Sequence, residues 1–580
     1  MTSPGRWGSM RAVNSVVLAA LGLAAFALAY RVYSRYLALR IFGVDPHRRT
    51  PAHEKQDGVD YVPTSRHVLF GHHFTSVAGA APILGPAIAV IWGWLPALLW
   101  IVFGSIFVGA VHDFGCLFLS TRNGGSSVAD LTGRIVGPRA RLLFLLFVLF
   151  LTWIVLAVFA FVIGTLFDAY PASVLPVNIE ILVAAAVGYV VHKRGAKLLL
   201  PSLLALGFLY FMVWVGVHYA ADWRLPGLLG TPAQTWVVLL LVYAFVASVL
   251  PVWLLLQPRD FVNSHQLFVG LGALYLGLVI VHPTVQAPAF DPHPQGAGPW
   301  FPLLFITVAC GAISGFHGLV GSGTTSKQVD NERDTRAIGY GAMLGEGALA
   351  LMALLACSAG FASEEAWLSH YHDWGSANSM GLKLQAFVNG GATFLQGLPG
   401  LSLPLCQAVL AVIVISFAAT TLDTATRIQR MIVQELAAGY GIKPLQNTYV
   451  ASAVAAFSPL VLVFGGTTLP DGSTRAYWTE LWPIFGASNQ LLGALSLMVL
   501  SFYLVRRGRN PWVVIVPTAL ISGMTILALL VNLRGFAAKE QWLLVGLSVL
   551  LLSLAVWLLA EGILKLRTLR RGGAPDEALQ

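Results

Sequence analysis

Six ionisable side chains fall inside or at the edge of long apolar stretches: His72, His73, Asp113, His317, Glu346 and Asp423. Such groups are costly at membrane depth and are functional candidates by default. A histidine titrates closest to neutral pH and can carry a proton. A carboxylate can do so when burial lifts its pKa. Plainer roles compete with this one. Asp423 has Arg427 at i+4 as an ion-pair partner, and Asp113 stands where interfacial water could solvate it. Glu346 lies deeper in its stretch.

A second group could hold a ligand through the backbone. Gly79, Pro82, Gly85 and Pro86 fall within one short run, which cannot continue a regular helix. Pro251, in the run 243–260, marks another interruption. The run 310–327 is dense in glycine, including Gly315, and carries Ser314, Ser322, Thr324 and Thr325. Those hydroxyls suit a hard cation, while small residues also serve close helix packing. No Walker spacing is present there, so the run is no phosphate loop. His370-Tyr371-His372-Asp373 has metal-ligand residue types, but no matching ligands accompany it, and a solvated loop fits it better. The four cysteines, Cys116, Cys310, Cys357 and Cys406, all lie in apolar stretches and read as packing residues.

The elements that must position these groups are membrane helices. Of 580 residues, 57% are hydrophobic and 11% charged, with a mean hydropathy of +0.74. An average soluble domain carries about 25% charged residues. The net charge of +9 therefore speaks of loop orientation and not of nucleic acid. A span needs about 20 apolar residues, and the apolar stretches amount to about fifteen helices in an all-α, multi-pass chain. Strand alternation is absent.

Basic residues cluster in alternate loops: Arg122 to Arg141, His192 to Lys197, Lys327 to Arg336, Arg427 to Lys443, Arg506 to Arg509, and Lys565 to Arg571. All fall on one side, which is expected to be cytoplasmic, with the C-terminus inside and the N-terminus outside. The chain divides into an N-terminal helix (12–41), a core (66–426), C-terminal helices (444–567) and a short tail (568–580). The two interrupted runs, 70–86 and 243–260, are five spans apart and run in opposite senses. That is expected of inverted repeats, about 66–220 and 235–426, whose two broken helices meet at the midplane.

Several motifs carry a family resemblance. They include Asp60-Tyr61-Val62-Pro63-Thr64, Phe70-Gly71-His72-His73-Phe74, Gly109-Ala110-Val111-His112-Asp113 and Leu250 to Asp260. Further ones are Ala309 to His317 with Ser322-Gly323-Thr324-Thr325, Asp423-Thr424-Ala425-Thr426-Arg427, and Leu481 to Gly486 with Ser488-Asn489-Gln490. In this order they resemble the carbon starvation protein A family of membrane transporters. The resemblance implies the amino acid–polyamine–cation (leucine-transporter-like) fold. It also implies uptake of short peptides or of pyruvate with protons, across the plasma membrane, under carbon limitation.

With no ATP-binding motif, nucleophile elbow or metal-protease motif in view, the expectation is secondary active transport, with no enzymatic activity and no cofactor. The partners are a small-molecule substrate, a proton (sodium being the competitor) and the lipid bilayer. Substrate is expected near Gly79, Pro82, Gly85, Pro86 and Pro251, and near Ser314, Gly315, His317, Ser322, Thr324 and Thr325. Coupling is expected at His72, His73, Asp113, Glu346 and Asp423, with His72, His73, Asp113 and Asp423 in one water-filled vestibule. The alternative is a membrane nutrient sensor signalling to a partner protein. Oligomeric state is left open.

Overall fold

The computed structural model describes residues 13–194, 197–468 and 474–570. Apart from the short hairpin Gly466–Thr468/Thr474–Ala476, its regular elements are helices. Among the described residues, twelve helices are long and apolar enough to cross a membrane, or thirteen with the bent pair Arg66–Val77 and Ala81–Trp92. The expected fifteen exceed this for two reasons. The Trp300–Gly323 stretch is broken into three short helices, and Thr448–Phe464 is too short to qualify. Residues 571–580 of the expected tail lie outside the described residues.

Exposure follows this architecture. Leu21, Leu28 and Val32 of the N-terminal helix Ser15–Phe42 are more than half exposed, as lipid-facing side chains are. The Arg336–Ala359 helix is apolar all round and buried nearly all round, which places it in the core.

The first broken helix forms where the sequence indicates. Arg66–Val77 ends at Ala78, and the chain restarts at Ala81 with a bend of 46°. Pro82 has no N–H to lose at the first turn of the second half. The second break is not at 243–260. There Pro232–Val249 ends, Leu250–Leu255 forms a joint, and the separate helix Leu256–Val281 begins. Pro251 thus links two spans and interrupts neither. The helix broken in mid-course is Trp300–Gly323, where Ile313 and Ser314 take extended backbone angles between Ala309–Ala312 and Gly315–Gly323.

The two broken helices face each other in opposite senses. Thr64, just before the first, donates its N–H to the Gln328 carbonyl, just after the second (3.1 Å). Their close approach needs glycine: a Cβ on Gly85 would lie 2.5 Å from the Thr307 carbonyl oxygen. Packing around the pair is matched. Arg66–Val77 packs on Leu256–Val281 as Gly315–Gly323 packs on Tyr477–Arg506. The long helices Pro138–Ala169 and Leu403–Gly439 lie along one another beside them.

Candidate functional site

Two buried networks of ionisable side chains flank the breaks. The first centres on His317, in the first turn of Gly315–Gly323. Its Nδ1 is 2.8 Å from Asp113 Oδ2, and its Nε2 is 3.1 Å from Glu346 Oε2. Asp113 also meets His112 Nδ1 at 2.7 Å. All four side chains are buried. Asn489 fixes the start of this helix by accepting from the Phe316 N–H (3.0 Å) and donating to Ser314 Oγ (3.0 Å). It thereby satisfies one of the donors that a helix start leaves open.

The chemistry follows from the hydrogen inventory. An imidazole can donate from both nitrogens only as imidazolium. With two carboxylates on its two nitrogens, His317 is therefore either charged, or neutral with a proton on Glu346 donating to Nε2.

The second network centres on Arg259. It pairs with Asp423 and, at 3.3 Å, with Glu180. Tyr243 donates its hydroxyl to Asp423 (2.7 Å), and Ser416 donates to Glu180 (2.6 Å). Next to Arg259 in sequence, Asp260 pairs with His72. A buried charge is tolerable only when paired and hydrogen-bonded, and here three carboxylates share an arginine and a histidine. Asp423 thus uses Arg259 and not Arg427, which instead binds Asp60 (2.8 Å).

His72 and His73 are consecutive on the first half-helix and point to different neighbours. His72 joins the Arg259 network, while His73 Nδ1 meets Thr325 Oγ1 (2.9 Å) just past Gly323. The expected shared vestibule is not what forms. His72, His73, Asp113 and Asp423 are all buried, and Asp113 and Asp423 belong to different networks. Helices pack over positions that the sequence places near span ends.

The remaining expected residues separate as well. Gly79 packs against Thr421 and Phe159. Gly85 lines a cavity of about 500 Å³ on the side of the breaks away from the basic loops, while Pro82 and Pro86 are buried in the half-helix behind it. Ser322 lines a smaller cavity of about 290 Å³ toward the basic loops, with Lys327 and Arg141. Its hydroxyl donates to the Gly318 carbonyl, that of Thr324 to the Val320 carbonyl, and Thr325 meets His73. These three oxygens do not converge on one point. His370 and His372 do not converge either: His372 pairs with Asp373 (2.5 Å), and no metal-binding group forms among the described residues. The four cysteines are free and buried.

Functional candidates that the sequence reading passed over are Glu180, Arg259, Asp260 and Lys383. Glu180 was findable as a lone acid within the apolar run 177–192.

The family model for carbon starvation protein CstA matches residues 14–365 and 370–528. The chain belongs to this family. It is 34% identical to the peptide transporter CstA of Bacillus subtilis (strain 168), over 84% of this chain and 85% of that one. It is 32% identical to the pyruvate/proton symporter BtsT of Escherichia coli (strain K12), over 91% of this chain and 83% of the relative. Among solved structures, MhsT in complex with L-phenylalanine aligns over 86% of this chain and 99% of that one, with a TM-score of 0.47 and 11% identity.

Proposed function

We propose that this CstA-family protein is a proton-coupled importer of small carboxylates or short peptides, acting in the plasma membrane when carbon is scarce. The observation that carries the reading is His317 held between Asp113 and Glu346 at the start of a half-helix. A proton that moves on or off this set changes the charge at the break itself, where two half-helices meet. Relatives named as a peptide transporter and as a pyruvate/proton symporter support the reading. In it, the two repeats of opposite sense are redrawn from the expected 66–220 and 235–426 to 66–281 and 300–506, because the second helix broken in mid-course is Trp300–Gly323, and the hairpin 171–219 is inserted in the first. The basic loops mark the cytoplasmic end, so the C-terminus is inside and the Ser15 end of the first helix outside. His72 and Asp423 belong to the second ionisable set, around Arg259, which senses movement of the first half-helix, while His73 ties that half-helix to Thr325 at the end of the second.

The test is uptake of radiolabelled pyruvate and of dialanine into vesicles, in sodium-free buffer, with and without an imposed pH gradient. Accumulation driven by the gradient is expected. Uptake that vanishes without sodium and ignores pH would assign the coupling to sodium.

A further inference from the structure

The cavity beside Gly85 holds a group that its walls do not balance. Lys383 projects from Met380–Leu395, a 16-residue helix that is not among the candidate spans. Its side chain lines the cavity and is only 3% exposed. The ammonium donates to Asn378 Oδ1 (3.1 Å) and stands 5.9 Å from the centre of the Trp482 ring. No carboxylate pairs with it among the described residues. Burial pushes its pKa down to about 8, so it stays charged at neutral pH. An ammonium has three donors, and one hydrogen bond here leaves two for something else.

We propose that Lys383 is the anchor for the carboxylate of a small organic anion that carries no amino group, bound in this cavity against the first broken helix. A buried unpaired cation points to an anionic occupant, because leaving it unmatched is costly. The described residues that line the cavity include Lys383 and Lys539 but no aspartate or glutamate. A peptide or amino acid would bring an ammonium with no acid among the described lining residues to meet it, beside two lysines. An oxo acid or another monocarboxylate brings only the charge that these lining residues lack. The volume, about 500 Å³, accepts such a molecule easily. Gly85 and Cys310 line the same cavity, so the anion would rest on both broken helices at once.

This inference rests on the transport reading, and binding separates the two. Equilibrium binding of pyruvate, L-alanine and dialanine is measured on purified native protein, alongside Lys383→Met and Lys383→Arg. Each variant is checked for a monodisperse, cooperatively melting protein. Pyruvate and L-alanine are close in size and differ chiefly by the oxo and ammonium groups. The expected result is pyruvate binding that weakens by about tenfold or more in Lys383→Met and is partly restored in Lys383→Arg. L-alanine and dialanine should bind at least about tenfold more weakly than pyruvate. Unchanged pyruvate affinity in Lys383→Met overturns the proposal. So does equal affinity for L-alanine or dialanine, or a native protein that binds no pyruvate. Should Lys383→Met not fold, Lys383→Arg and the ligand comparison on native protein decide. The transport reading fails separately, through absence of any gradient-driven uptake in vesicles, whatever binds in detergent.

Discussion

Asp113 Oδ2 lies 2.8 Å from His317 Nδ1, across 204 residues of sequence, with both side chains buried. The contact ties the Trp94–Arg122 helix to the first turn beyond the second break. Glu346 closes the other side of the ring, so three helices meet on one imidazole.

If His317 and Glu346 share a coupling proton, Glu346→Gln should uncouple without blocking binding. Gln keeps the shape and removes the ionisable oxygen. Gradient-driven accumulation is expected to fall about a hundredfold. Exchange of labelled for unlabelled substrate at equal pH needs no net proton movement and should persist. Accumulation equal to that of the native protein would remove Glu346 from the coupling path.

The Arg259 network makes a different prediction, because its groups are paired in both directions. Arg259→Met leaves Asp423 and Glu180 buried without their cation. Breaking a buried pair in this way costs about 3–5 kcal/mol. Thermal melting of the variant should show that loss. The double variant Arg259→Met, Asp423→Asn should recover part of it, since one of the stranded charges is gone. Equal melting for the single and double variants would mean that the two residues are not energetically coupled.

Gly85 sits where the two broken helices touch. A Cβ there would come 2.5 Å from the Thr307 carbonyl oxygen and 3.2 Å from the Val308 Cα, both backbone atoms. Neither can swing aside as a flexible side chain would. Gly85→Leu is expected to force the half-helices apart, costing about 1–3 kcal/mol, and to abolish uptake while the protein still reaches the membrane. Membrane fractionation together with vesicle uptake reads both effects. Full transport by this variant would show that the contact has no part in the cycle.

The apolar segments and the first break were legible because each is written locally. A run of apolar residues defines a span, and Gly79-Ala80-Ala81-Pro82 cannot hold a regular helix. The second break carries no proline. It opens at Ile313 and Ser314, and its helix start is capped by Asn489, 173 residues beyond Phe316. Pro251 gave the louder local signal and marks only a joint between spans. Charge partners failed in the same way. The i+4 rule gives Arg427 to Asp423, but Arg259 lies 164 residues away and takes it. Lys383 is not legible in the sequence because it follows His370-Tyr371-His372-Asp373, a run that reads as a solvated loop, whereas the chain folds its helix back against the first broken helix.

Asp60 makes a prediction in pH. It lies in the connection before the first half-helix, with Oδ1 2.8 Å from Arg427 Nη1 and Oδ2 3.9 Å from Arg430 Nη2. Burial raises its pKa, but Arg427, Lys327 and Arg430 together outweigh it and hold the carboxyl below the usual range. Arg427 also donates to the Leu250 carbonyl and Arg430 to that of Ser248 (2.8 Å), so Asp60 anchors two arginines that grip the joint carrying Pro251. A depressed folded pKa means the stabilisation is fully present above the unfolded value, about 3.9 for an aspartate. It is then lost as pH falls through the lower folded value. Asp60→Asn should therefore lower the melting temperature at neutral pH, by the equivalent of about 1–3 kcal/mol given that Asp60 is partly exposed. The gap between native and variant should close as the pH is taken below 4. A gap of constant size down to pH 3 would show that Asp60 acts through its shape and hydrogen bonds and not through its charge.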